Sequence, residues 1–275
     1  MSASLSYIKK KSPIHQLNGS TKFLFFLIWS IAAMITYDTR VLVTMFLLGL
    51  VFFKMSKLKW ADVRFAVLFM VWLIVLNLSA LFLFAPEQGV EIYGTRHEIV
   101  HLFWRYSIVA EEIFYLFNFM MKYLAVIPVA LLFIMATDPS EFASSLNKIG
   151  VSYRIGYSVA IALRYIPDVQ RDFHEISQAQ QARGIDLSKK DKLTDRLKNS
   201  AAILFPLMLS SLQRIEVISN AMELRGFGKN AKRTWIVARP MGKSDYVALA
   251  IAIIMMVVSV TCIIMNGGRF FNPFV

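Results

Sequence analysis

The chain has 275 residues, 57% of them hydrophobic, a mean hydropathy of +0.54 and a net charge of +12. That apolar share lies well above the norm for water-soluble domains and excludes an ordinary soluble core, because several apolar runs approach the ~20 residues that cross a bilayer. In such a chain an excess of lysine and arginine points first to cytoplasmic loops and only then to nucleic acid, and the single cysteine, Cys262, can form no internal disulfide.

Taken in order, a polar basic segment with Lys9, Lys10 and Lys11 precedes a first apolar run over about 22–37. No small-x-small cleavage site follows it, so it reads as a retained anchor. After the break Asp38-Thr39-Arg40 comes a second run, about 41–53, followed by Lys54, Lys57, Lys59 and Arg64. Both runs are short for a full crossing. The third span covers about 65–84, with Asn77 and Ser79 as its interior polar groups, expected to bond between helices. Residues 85–112 read as an acidic loop with a short helical section. The fourth span covers about 113–136, with Lys122 expected to snorkel to the interface and Pro128 to kink it.

Thr137-Asp138-Pro139-Ser140-Glu141 reads as a helix start: Asp138 caps, Pro139 takes the first helical position, and Glu141 closes a capping box. One helix is then predicted over 153–166, ended by Pro167, and another over 168–183, about 24 Å long. A basic linker, Ile185 to Lys192, leads to an amphipathic helix over 193–224 containing Pro206. A basic polar stretch leads to the last span, about 246–265, and an external tail. The charge alternation fits about five transmembrane helices with the N-terminus cytoplasmic and the C-terminus external. The fold class is therefore an all-α integral membrane protein: a membrane part over 1–137, a cytoplasmic or interfacial domain of long amphipathic helices over 138–245, and a last span with its tail over 246–275.

Two near-copies organise the 138–245 region. Ile176-Ser177-Gln178-Ala179 leads to Ala182-Arg183-Gly184, and Ile218-Ser219-Asn220-Ala221 leads to Leu224-Arg225-Gly226, one 42-residue step later. Glycine past the last helical residue ends a helix, and an arginine before it meets the exposed carbonyls of the last turn. Helix ending alone does not require the shared Ile-Ser-amide-Ala. The pattern predicts two helices that each present a guanidinium at the tip.

Other motifs invite catalytic readings. His97-Glu98-Ile99-Val100-His101 matches the His-Glu-x-x-His zinc pattern, in which His97 and His101 share a helix face and Glu98 is the base. The extended pattern fails, with Trp104 and Ser107 where glycine and a third histidine belong. The alternative is a solvated amphipathic turn. Gly242-Lys243-Ser244 imitates the end of a phosphate-binding loop, but Val237 stands at the first glycine and Pro240 interrupts it. No mid-span acid offers a proton relay.

The chain resembles the transmembrane T component, the EcfT family, of energy-coupling factor (ECF) transporters, bacterial importers of the ABC class. The resemblance rests on Thr137-Asp138-Pro139 with Glu141, Leu163-Arg164-Tyr165-Ile166-Pro167, Ala179 to Asp186, and Phe205-Pro206-Leu207 running to Gly226. Asn18-Gly19-Ser20-Thr21-Lys22 departs from the family's usual Asp-Pro-Arg-Thr-Lys type, and Leu224 stands where alanine is frequent. The resemblance implies a non-catalytic scaffold in the bacterial cell membrane. Ala182, Arg183, Gly184, Leu224, Arg225 and Gly226 would dock into two cytosolic ABC ATPases. Those partners would bind ATP and Mg, and this chain would hold no cofactor. Other surfaces, among them Ile176, Leu204, Met208, Leu212, Ile215 and Met222, would contact a separate substrate-binding membrane subunit, the S component, for a vitamin or a metal. No nucleic acid is expected. The competing expectations are a membrane zinc protease using His97, Glu98 and His101, and a self-contained permease.

Overall fold

A computed structural model describes residues 10, 12–103, 106–184, 193–230, 234–235 and 240–274, without the side chains of 101–103, 106, 139 and 193–198. The predicted linker 185–192 and the His101 side chain lie outside the described residues. The chain divides into two units, residues 1–142 with 239–275, and residues 143–238.

The first unit begins with a short turn, α1 (Pro13–Gln16), and then α2 (Gly19–Ile35), whose first turn is capped by the Asn18 side chain. Helix α3 (Thr39–Met55) starts at Asp38, which accepts the Arg40 main-chain N–H at 3.0 Å. The long apolar helices α4 (Trp60–Phe84), α6 (Ala110–Ala136) and α10 (Lys243–Met265) complete the unit. Its core joins α2, α3, α6 and α10 around Trp29, Leu42, Met45, Ala125 and Met255. Trp29 Nε1 donates to the Ala125 carbonyl at 3.0 Å, so its one polar atom is satisfied in an apolar surround. Ala32, Ala33 and Ala252 are small and buried, the residue type that lets apolar helices approach closely. A second cluster, Val63, Ala66, Leu131 and Met135, ties α4 to α6.

Among the described residues four segments are long and apolar enough to cross a bilayer: Trp60–Phe84, Ala110–Ala136, Asn199–Leu224 and Lys243–Met265; Gly19–Ile35 is a shorter apolar helix. Ser79 donates to Val75 of its own helix at 2.8 Å, and Asn77 is exposed. The interhelical bonds expected of them are therefore absent among the described residues. Lys122 also departs from expectation. It is buried, with Nζ 3.5 Å from the centroid of the Tyr37 ring. A π face close at hand takes the cation, and the side chain need not reach the headgroups.

Residues 85–103 and 106–109 hold more regular structure than a loop. Helix α5 (Gln88–Tyr93) is pinned by the Gly89 N–H to Glu112 at 2.7 Å. Strands β1 (Glu98–Phe103) and β2 (Tyr106–Val109) form an antiparallel hairpin in which Glu98 faces Val109 and His101 faces Ser107. The helix on which His97 and His101 would share a face does not form. Ile99, Val100, Ile108 and Val109 are β-branched and favour a pleated pairing.

In the second unit, α7 (Pro139–Lys148), which begins in the first, leads to α8 (Tyr153–Ala182) and α9 (Leu193–Leu224). Pro167 lies inside α8 and does not end it, against the two-helix reading. A proline inside a helix costs about 3 kcal/mol. Arg214 of α9 meets α8 on both sides of it, at the Tyr165 ring and at Asp172, and holds the two halves in one rod.

Candidate functional site

Both repeat copies end their helices as the sequence suggests. Arg183 is the C-cap of α8, and Gly184 follows with φ +86° and donates its N–H to the Gln181 carbonyl at 3.0 Å. At the end of α9, Gly226 has φ +66° and donates to Glu223 at 2.9 Å, while the Phe227 N–H reaches back to Met222 at 2.9 Å. That pair of bonds is the Schellman closure, and it requires the left-handed backbone glycine adopts readily. Ala182, Arg183 and Gly184 are exposed, as are Leu224, at 89%, and Arg225.

The second tip is clamped by a device that the sequence reading missed. Phe227 packs against Tyr157 at 4.9 Å and Tyr153 at 5.6 Å between ring centroids, and Arg154 donates to the Gly228 carbonyl at 3.0 Å. The signal was an aromatic directly after Arg-Gly, where a helix stop commonly makes its apolar contact.

Helices α8 and α9 run antiparallel. Gln180 Nε2 donates to Ala202 at 3.1 Å near one end, and Phe227 meets Tyr153 and Tyr157 near the other. Between them Arg214 donates to Asp172 at 2.6 Å and lies 5.7 Å from the Tyr165 ring centroid. Asp172 and Arg214 are themselves one 42-residue step apart, so a position of the first copy meets its own equivalent in the second. Each tip arginine lies about 16 Å of helix beyond its member of this pair. The two guanidiniums therefore stand at opposite ends of the hairpin, roughly 33 Å apart along it.

Of the residues expected to touch a membrane subunit, Leu204, Met208, Leu212 and Ile215 are 50–63% exposed and form one stripe along α9. Ile176 and Met222 are half-buried. The stripe widens through Phe205 and Leu209. A contiguous exposed apolar face of this kind marks a protein or lipid contact.

A joint in the first unit was also missed. Lys22 Nζ donates to Ala136 at 2.7 Å, to His15 at 3.3 Å and to the Glu141 carboxylate at 3.3 Å, all buried. A Cβ on Gly19 would lie 2.8 Å from the Glu141 main chain. Asn18-Gly19-Ser20-Thr21-Lys22 thus closes on Thr137-Asp138-Pro139-Ser140-Glu141, at the start of α7. Asp138 caps as expected, accepting the Ser140 N–H at 2.8 Å, while the Glu141 carboxylate accepts from a lysine 119 residues away.

The His97 region has another use. Glu111, fully buried, accepts the His97 main-chain N–H and the Thr95 hydroxyl, and lies 2.6 Å from His97 Nδ1. Extended backbone holds the Cα atoms of His97 and His101 roughly 13 Å apart, not one helical turn apart as the zinc pattern requires. Among the described residues no group of three His, Cys, Asp or Glu side chains could hold a metal.

The family profile "CbiQ: Cobalt transport protein" matches residues 10–235. The chain belongs to this family. Three curated relatives carry the name "Energy-coupling factor transporter transmembrane protein EcfT". The one from Clostridium kluyveri is 26% identical over 264 residues, 92% of this chain and 94% of its own. The one from Staphylococcus aureus is 23% identical over 238 residues, 83% and 84% of the two chains. The one from Limosilactobacillus fermentum is 35% identical over 113 residues, 41% and 42%. The CbiQ-family assignment and these relatives agree with the resemblance read from the motifs. The chain is a bacterial multi-pass membrane protein and a transmembrane component of the energy-coupling factor transporter kind.

Proposed function

We propose that this CbiQ-family chain is the scaffold that transmits ATP-driven motion of two cytosolic ABC ATPases to a separate substrate-binding membrane subunit during uptake of a vitamin or a metal. The observation that carries the reading is the pair of exposed arginine-capped tips at opposite ends of one hairpin. One tip would enter each ATPase, and the planar five-donor guanidinium suits a groove of carboxylates and carbonyls. The chain itself catalyses nothing in this reading, and ATP and Mg²⁺ are held by the ATPases. The stripe from Leu204 to Ile215 would carry the substrate-binding subunit.

The α8–α9 hairpin belongs at the cytoplasmic interface. Asn199–Leu224 is apolar enough to cross, but crossing would bring Arg214 and Glu216 toward mid-bilayer, and an arginine there costs about 2.5–3.5 kcal/mol on insertion scales. The N-terminus would then be cytoplasmic and the C-terminus external. Replacing Arg183 and Arg225 together by alanine should leave membrane insertion intact and remove the ATPases from the purified complex, by about 2–5 kcal/mol per tip in a desolvated groove. Copurification and uptake at wild-type levels in that variant would refute the proposal.

A further inference from the structure

We propose that the first unit holds one anionic phospholipid, with an acyl chain in a cleft between α2, α3, α6 and α10 and its phosphate at Lys243 and Ser244. The cleft encloses about 400 Å³. Phe25, Phe52, Phe133 and Ile251 wall its interior, one residue from each of the four helices. Its lining is apolar except at one end, where Lys22, Lys243 and Ser244 stand. Lys22 is committed to Glu141 and two carbonyls, whereas Lys243 is exposed in the first turn of α10. Among the described residues no carboxylate lines the cleft. The nearby Asp245 turns instead to the N–H groups of Gly242 and Asn18, both at 2.8 Å.

The shape selects the occupant. Lys243, Val247 and Ile251 line the cleft at four-residue spacing, so it runs about 12 Å inward from the helix end. An apolar lining of this length with its cationic and hydroxyl groups gathered at one end matches a hydrocarbon tail that carries an anionic headgroup. The rim supplies the complementary charge: an ammonium and a hydroxyl at the start of a 23-residue helix favour a phosphate headgroup of net negative charge over a zwitterionic one. The Gly242-Lys243-Ser244 sequence, which imitates a phosphate-binding loop, would hold a phosphate here without any nucleotide.

The test is native mass spectrometry of the full chain released from membranes of equal phosphatidylglycerol and phosphatidylcholine content. One phosphatidylglycerol should be retained in preference to phosphatidylcholine. Lys243→Gln should weaken retention about fivefold, the effect of one interfacial charge. Ala248→Trp, which fills the cleft, should abolish retention, and Arg269→Gln, at the other end of α10, should leave it unchanged. Equal retention of the two lipids, an unaffected Lys243→Gln, undiminished binding in folded Ala248→Trp, or an equal loss from Arg269→Gln would each overturn the proposal. Circular dichroism reports whether Ala248→Trp folds. If it does not, the exposed-site pair Lys243→Gln and Arg269→Gln decides.

Discussion

In the membrane unit Trp29, Leu42 and Met45 are wholly buried, and the charged group Lys22 is buried with its partners. In residues 143–238 the buried hydrophobics among the described residues are only Ala143, Tyr153, Ile203 and Leu207, while Leu204, Phe205, Met208, Leu212 and Ile215 stand exposed. One unit packs a core between its helices, while the outer faces of α4 and α10 stay exposed. The other leaves apolar surface open and fixes its shape with a few specific contacts: the Arg214–Asp172 pair, the Phe227 clamp and two glycine stops. In the proposed scaffold, a rod gripped at both ends and along one face would gain more from defined tips than from a core of its own.

This contrast can be tested by removing what each unit relies on. The largest effect on stability should come from the membrane unit. Lys22→Met leaves the Glu141 carboxylate buried without its cation, which costs about 3–5 kcal/mol. Adding Glu141→Gln should recover part of that loss, measured as the unfolding midpoint of the purified protein. A small loss from Lys22→Met alone would mean that the joint at α7 is not held by this pair. Next, Gly226→Ala forces a side chain into left-handed backbone at a cost of about 1–2 kcal/mol, and the last turn of α9 should fray. Its signature is faster amide exchange around Met222 to Phe227 with an unchanged unfolding midpoint of the membrane unit. The smallest effect belongs to Asp172→Asn with Arg214→Gln. This partly exposed pair contributes about 0.2–1 kcal/mol, and a double-mutant cycle should return a coupling in that range. A coupling of several kcal/mol would make the hairpin as internally locked as the membrane unit, and the contrast would fail.

Much of this architecture is legible in the residues. The apolar runs that became α4, α6 and α10 announce themselves by length, and both Arg-Gly stops predict tips with positive-φ glycines. The misreadings have physical causes. Local signals end a helix at Pro167, but the contacts of Arg214 in α9 with Tyr165 and Asp172, on either side of the proline, outweigh its missing hydrogen bond. The His97–His101 spacing suits a helix or a strand equally, and the intervening Ile99 and Val100 tip it toward the strand. Lys22 pairing with Glu141, and Lys122 resting on Tyr37, are contacts across 119 and 85 residues of sequence, invisible to any local pattern. The tip residues were readable because their chemistry is local; the joint was not, because its partners meet only once the helices have packed.

In the proposed scaffold the two arginine tips face the cytoplasm and enter nucleotide-hydrolysing partners. In a Cys262→Ala background, single cysteines at Ala182 and Leu224, each exposed beside its arginine, test it through side-selective maleimide labelling and disulfide cross-linking in native membranes. Labelling is expected from the cytoplasmic side only, with a cross-link from each position to an ATPase subunit. Labelling of either cysteine from the external side, or the absence of any ATPase cross-link from both, would contradict it.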